Sequence, residues 1–395
     1  MRPLSFQFFA NFAVLGCVLP YLTVYLVEGR GMTETQAGLL YGVHGLSVLV
    51  TPVLLTLFAD TRLTNRKLLA GCFAVAAVGL AGMLLGPGIA AIVAGYFVFR
   101  FAFSPIMSLE DGLAFAEQHA DTQAGRTPRP YQATRVWGTY GFLGGTAAIY
   151  ALLHFGWPIG VAIGSATVWC VLGVLNATRL PAFPEAKAEV RRPDARLPTT
   201  DALRRLTRPR LLGFCAAMLL LFFAASSYYA FYPLWMVQTV DIDEQWIGPI
   251  IAIGVVLEIA PILGFGWLAR RVGLRRLILL SVACMCVRFL WIAADASVFT
   301  AIANQTLHGM MVLLVHVIPP VYLNHHAEPR YRSSIQGVYS MGVIGVGQLV
   351  GPAIAGVIAS ESLPWVFVYA AGLCVAAGVL MFLSVDRQGD RTIAD

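Results

Sequence analysis

Residues 180–210, with the sequence LPAFPEAKAEVRRPDARLPTTDALRRLTRPR, are the one long polar stretch in this chain of 395 residues. On each side of the stretch, apolar runs of about 20 residues recur, six before it and six after it. Prolines and closely spaced charges are typical of linkers, not of regular elements inside a core. The stretch therefore predicts a linker between two domains, residues 1–179 and residues 211–395.

The composition of the chain excludes a soluble globule. Charged residues make up 12% of the chain and apolar residues 58%, against roughly 25% and 45–50% in soluble proteins. A helix of about 20 apolar residues crosses a hydrocarbon layer of about 30 Å. The sequence thus predicts an all-α membrane protein with twelve transmembrane helices in two six-helix bundles, at 5–27, 35–58, 68–86, 89–117, 132–154, 157–178, 211–239, 246–269, 274–294, 297–323, 333–359 and 363–384.

Basic residues divide unevenly between alternate loops. One set of loops and termini carries 23 Lys and Arg residues, whereas the other set carries Arg30 alone. Because basic loops stay on the cytoplasmic side, both termini are predicted to lie in the cytoplasm, with the chain in the inner membrane. The net charge of +6 is then a topology signal, and we expect no nucleic-acid partner.

The sequence offers no sign of an enzyme, a cofactor or a metal site. The HExxH, GxSxG and GxxxxGK[ST] motifs do not occur, which argues against a hydrolase and against nucleotide-driven pumping. All seven cysteines lie in or at the edges of apolar runs, so no disulfide framework is expected. A proton gradient is the expected driving force.

Ionisable residues inside the apolar runs are few, and each is a hypothesis for a functional site, because burying a charge in a bilayer costs about 2.5–3.5 kcal/mol. The set comprises Arg100, Glu110, Asp111, Arg135, Glu258, Arg288, His308 and His316. Three acids balance three arginines, so structural ion pairs such as Glu258 with Arg288 are an open alternative.

Two short loops repeat about 210 residues apart, after the second run and after the eighth. The first keeps Asp60, Arg66 and Lys67, and the second is GWLARRVGLRR at 266–276. Both resemble the loop signature of the major facilitator superfamily, with Gly266 and Gly273 on its glycines and Arg270 at its acidic position. The resemblance implies the major facilitator fold and a role for these residues in gating.

Segments in both halves resemble two permease groups of that superfamily. YQATRVWGTYGF at 131–142 is similar to the lactose permease group. FSPIMSLEDGLA at 103–114, SSYYAFY at 226–232 and GVVLEI at 254–259 are similar to the phenylpropionate permease group. The likeness implies a site for substrate and protons, whose residues would be Asp111, Arg135, Phe142, Glu258, Arg288 and His308. Met311 stands where the lactose permease has its proton-carrying glutamate, so another group must carry a proton here.

Aromatic residues are dense in the seventh run. Tyr228, Tyr232 and Trp235 share one helical face through their spacing. This face could stack on a ring of the substrate, or Tyr232 and Trp235 could form an interfacial belt.

Together these patterns predict a secondary active transporter that imports a small organic solute, an aromatic acid or similar, by proton symport with alternating access. We expect a monomer in the lipid bilayer and take Glu258 as the proton carrier, ahead of Asp111 and His308. A sugar or nucleoside symporter on the same fold and a membrane sensor that transports nothing are the alternatives.

Overall fold

A computed structural model describes residues 2–59, 64–181, 204, 206–326 and 332–385 of the chain. All regular structure in these ranges is helical. Nine helices there are long and apolar enough to cross a membrane, and a tenth span results if the two bent parts of the first are one. Adding the apolar helix Val161–Ala177 and the helix Glu34–Ala59 gives twelve segments, which confirms the predicted fold class.

The twelve helical segments follow the predicted runs closely. The first six are α1 (Pro3–Val18, continued as Leu22–Gly29), α2 (Glu34–Ala59), α3 (Asn65–Leu85), α4 (Gly88–Gln123), α5 (Tyr131–His154) and α6 (Val161–Ala177). The other six are α7 (Pro209–Gln238), α8 (Glu244–Leu263, continued as Phe265–Val272), α9 (Leu274–Ala294), α10 (Val298–His325), α11 (Ser334–Ala359) and α12 (Leu363–Ser384).

Several helices are interrupted, and the interruptions lie near the buried charges. In α4 the helix stops at Phe103 and resumes at Ile106, because Pro105 has no N–H to donate. In α8 it stops at Leu257 and resumes at Ile259, so that Glu258 occupies the break. In α10 a 3₁₀ turn, Asn304–Leu307, precedes His308 and a π-helical turn follows at Leu313–Val317. Irregular turns of this kind commonly mark functional positions in helices.

The chain divides by its internal contacts into two compact units. The first unit comprises Met1–Met32, Val50–Val190 and Glu244–Pro249. The second comprises Thr33–Leu49, Arg191–Asp243 and Ile250–Asp395. Most of the predicted linker, 180–210, lies outside the described residues, and the boundaries 1–179 and 211–395 stay a prediction.

Small residues bring helix backbones together within each unit. In the first unit, a Cβ on Gly145 of α5 would lie 2.6 Å from the carbonyl oxygen of Ala13 in α1. In the second unit, the α2 segment packs against α11, where a Cβ on Gly42 would lie 2.5 Å from the carbonyl oxygen of Leu349. Such close approaches, which replace side-chain interdigitation, are characteristic of helix pairs in membranes.

The repeated loops are described in part. Gly273 has φ of +87°, a conformation that favours glycine, and it separates the end of α8 from the start of α9. Gly266 and the exposed Arg270 lie on the continuation of α8. In the first loop, Arg66 donates to the carbonyl oxygen of Leu180 at 3.3 Å, Lys67 is in the first turn of α3, and Asp60 lies outside the described residues. Their role in gating stays a prediction.

Candidate substrate and proton site

Arg288 is the centre of a buried polar cluster in the second unit. Its side chain, in the middle of α9, is completely buried. All five of its N–H donors face acceptors on α7 and α10: the Asn304 Oδ1 at 3.1 Å, the Gln305 Oε1 at 3.1 Å, the His308 Nδ1 at 2.7 Å, the Met311 Sδ at 3.9 Å and the Tyr228 hydroxyl. Every one of these acceptors is neutral or can be, so the guanidinium is satisfied without a carboxylate.

The contact with Arg288 determines the tautomer of His308. A guanidinium can only donate, so the Nδ1 of His308 accepts and the ring proton lies on Nε2. That nitrogen lies 3.4 Å from the Oε2 of Glu258. His308 therefore stands between the arginine and the acid.

Glu258 and Arg288 do not form the direct ion pair that the sequence left open. Within the described residues, no Lys or Arg nitrogen lies within 4.0 Å of the Glu258 carboxylate. The ionisable side chain in contact with that carboxylate is His308. The direct pair of Glu258 with Arg288 is wrong, because the N–H groups of Arg288 donate to acceptors on α7 and α10. Glu258, at the break in α8, keeps 24% of its side chain exposed, whereas Arg288 is buried and only 7% of the His308 side chain is exposed.

The aromatic face of α7 is internal. The rings of Tyr228 and Tyr232 stack with centroids 4.7 Å apart, and Tyr232 stacks on Trp235 at 5.7 Å. Trp235 has no exposed surface and Tyr232 has 1%, so they form no belt at a lipid interface. The face instead supports the polar cluster, because Gln305 donates to the Tyr232 hydroxyl at 3.0 Å and the Arg288 guanidinium lies 4.2 Å from the Tyr228 ring centroid.

The candidate residues in the first unit form a separate group. Tyr131 donates to Asp111 at 2.6 Å, across the contact between α5 and α4. The guanidinium of Arg135 lies 4.2 Å from the ring centroid of Phe12, a cation–π contact, and no carboxylate in the described chain lies within 4.0 Å of it. Phe142, two helical turns further along α5, is partly exposed. Asp111 and Arg135 are thus near each other without pairing.

Three polar residues of these groups were missed by the sequence reasoning. Asn304 and Gln305, four and three residues before His308, carry no charge, so a search for ionisable residues passed over them although both are buried. Asn11, which donates to Glu110 at 2.7 Å, was missed for the same reason. Uncharged amides inside apolar runs were the signal that could have found all three, because buried amides need partners.

No group of three or more His, Cys, Asp or Glu side chains in the part of the chain that the structure describes could hold a metal ion. The two polar groups contain hydrogen-bonding side chains and two partly exposed acids, Glu258 and Asp111.

The chain has helical spans with buried polar groups in both units, and it belongs to the MFS_1 like family, whose model matches residues 1–369. It is a multi-pass membrane transporter on this fold and not an enzyme.

Among characterised relatives, the chain is similar to the nucleoside permease NupG of Escherichia coli (strain K12), with 22% identity over 367 residues, covering 88% of this chain and 85% of the relative. It is equally similar to the xanthosine permease of the same organism, with 22% identity over 365 residues and the same coverage. The crystal structure of the nucleoside transporter NupG superposes with a TM-score of 0.84 at 20% identity, covering 98% of this chain and 99% of that one, which shows the shared fold. The resemblance to phenylpropionate and lactose permeases is supported only at the level of the family.

Proposed function

We propose that this protein carries a neutral, nucleoside-like solute across the inner membrane by secondary active transport coupled to protons. The observation that carries the proposal is the saturation of Arg288 by five acceptors within the protein. An arginine that recognises a carboxylate needs two free parallel donors, and Arg288 has none to offer. The names of the relatives, nucleoside and xanthosine permeases, support the same class of solute.

The groups around Arg288 suit a neutral ligand with hydroxyls and ring nitrogens. Glu258 accepts hydrogen bonds, as sugar hydroxyls require, and Tyr229, partly exposed beside His308 with ring centroids 6.1 Å apart, offers an aromatic surface for a base. The aromatic acid expected from the sequence finds less support at this cluster, because Arg288, one of the two arginines that could bind its carboxylate, has its donors occupied.

Glu258 is the proposed proton carrier. It is the one acid of the second-unit cluster, it is partly exposed, and His308 presents Nε2–H to it. A proton on the carboxylate would remove its ability to accept on that oxygen, so proton and ligand would influence each other's binding. The protein would act as a monomer, both termini would be cytoplasmic, and flux would follow alternating access.

Uptake by proteoliposomes tests the proposal. We expect counterflow of uridine or xanthosine, no counterflow of phenylpropionate, and accumulation of the nucleoside only with an inward pH gradient. Glu258→Gln should keep counterflow, since exchange needs no net proton movement, and should lose the part of the gradient-driven accumulation that a proton on Glu258 drives. Counterflow of phenylpropionate alone would restore the aromatic acid, glucose alone would establish a sugar carrier, and binding without flux would identify a sensor.

A further inference from the structure

Glu110 is a buried acid that the second-unit cluster does not use. It lies in the first unit on α4, after the break at Pro105, and its side chain has no exposed surface. The Asn11 side-chain amide of α1 donates to its Oε2 at 2.7 Å. Its Oε1 has no hydrogen-bond partner among the described residues.

A cation that would hold Glu110 ionised is missing from its immediate surroundings. In the described chain, no Lys, Arg or His nitrogen lies within 4.0 Å of its carboxylate. The ionisable side chains of its own helix and of the helices packed on it are Tyr96, Arg100, Asp111, Glu117, His119 and Asp121 on α4, Cys17, Tyr25 and Glu28 on α1, Arg66, Lys67 and Cys72 on α3, and Tyr131, Arg135, Tyr140, Tyr150 and His154 on α5. Burying an ionised carboxylate that has one hydrogen bond costs much more free energy than burying the neutral carboxylic acid.

We propose that Glu110 and Asn11 form a proton-binding site in the first unit, additional to Glu258. The proton, delivered from water, adds to the free Oε1 and converts the carboxylate into a neutral carboxylic acid, while Asn11 keeps its bond to Oε2. Return of that proton to water on the other side requires that water reach Oε1 at one stage of the cycle. The role in transport rests on the proposed function, because a carrier must move solute before a proton can be coupled to it.

Glu117 is a matched control for Glu110. It lies two helical turns further along α4, and Glu117→Gln makes the same chemical change. Its side chain is partly exposed, whereas that of Glu110 has no exposed surface. The two glutamates therefore differ in burial on one helix.

Steady-state accumulation of uridine in proteoliposomes, at a pH gradient of about one unit with the membrane potential clamped at zero, tests the transport role. Each coupled proton contributes about tenfold in the accumulation ratio under these conditions, because one pH unit is about 1.4 kcal/mol. We expect Glu110→Gln to lower accumulation about tenfold with counterflow unchanged, and Glu117→Gln to change neither. Normal accumulation by Glu110→Gln would overturn the proposal, whereas absence of counterflow in the wild type would overturn the proposed function instead.

Infrared difference spectra of the purified protein provide a readout that does not require transport or a known solute. A protonated-carboxyl band should disappear as the pH is raised, be missing from Glu110→Gln and remain in Glu117→Gln. Glu110→Asp, which keeps an acid, should shift the band, so the assignment holds even if the glutamine variant fails to fold. A band that persists at every pH would make Glu110 a permanently neutral structural acid, and its absence at every pH would make it a permanent anion.

Discussion

Arg288 holds its neighbouring side chains in place through five hydrogen bonds. These five bonds explain why an arginine occupies this position in a bilayer. It orders Asn304 and Gln305 on one side and His308 on the other, so the arginine organises the cluster without being exposed itself. Buried polar networks of this kind are stable only when every member is satisfied.

Lysine cannot replace this arginine, because an ammonium has three donors and no planar fork. We expect Arg288→Lys to abolish uridine counterflow, since acceptors left unpaired in the interior cost about 1–3 kcal/mol each. Arg276→Lys, an exposed change in the same helix, is the control and should transport normally.

The double variant Glu258→Gln with Arg288→Ala separates a binding site from a structural ion pair. The two charges have His308 between them and make no direct contact, so removal of both should not recover the counterflow that Arg288→Ala loses. Normal uptake by the double variant would show that Glu258 and Arg288 serve as a structural pair and not as a binding site.

At the scale of elements, the backbone contact between α2 and α11 is sensitive to substitution. A Cβ on Gly45 would meet the backbone of Leu349 and Gly345, closer than any real Cβ contact, and backbone cannot move aside as a flexible side chain can. Overpacking of this kind typically costs about 1–3 kcal/mol.

We therefore expect Gly45→Ala to lower the melting temperature of the detergent-solubilised protein by several degrees and to reduce counterflow. Gly372→Ala in α12 makes the same chemical change in a helix where a Cβ meets nothing within 4 Å, and it should be neutral. Equal melting temperatures for the two variants would contradict close packing at α2 and α11.

At the scale of the whole molecule, the distribution of basic residues predicts the orientation. In a variant without cysteines, Asp243→Cys and Glu361→Cys should react with an impermeant thiol reagent added outside intact cells, and Arg192→Cys should not. Labelling of the Arg192→Cys variant from outside would reverse the predicted topology.

The amino-acid sequence alone determined the class of protein, its helices and its buried charges. Lipid offers no hydrogen bonds, so each helix that crosses it must be made of a run of apolar residues. A charged residue inside such a run can therefore be recognised from the sequence alone. The predicted span 297–323 accordingly matches α10, Val298–His325, within two residues at each end.

Only the tertiary structure decided which of those charges meet. Arg288 could face Glu258 or the amides of α10 with the same sequence, and the 3₁₀ turn at Asn304–Leu307 brings the amides to it. Likewise, nothing in the spacing showed that Tyr228 and Tyr232 stack on each other or that Asn11 reaches Glu110 from α1. Hydropathy records whether a residue is buried, whereas its partner depends on the rotation and breaks of helices distant in the chain, which packing sets.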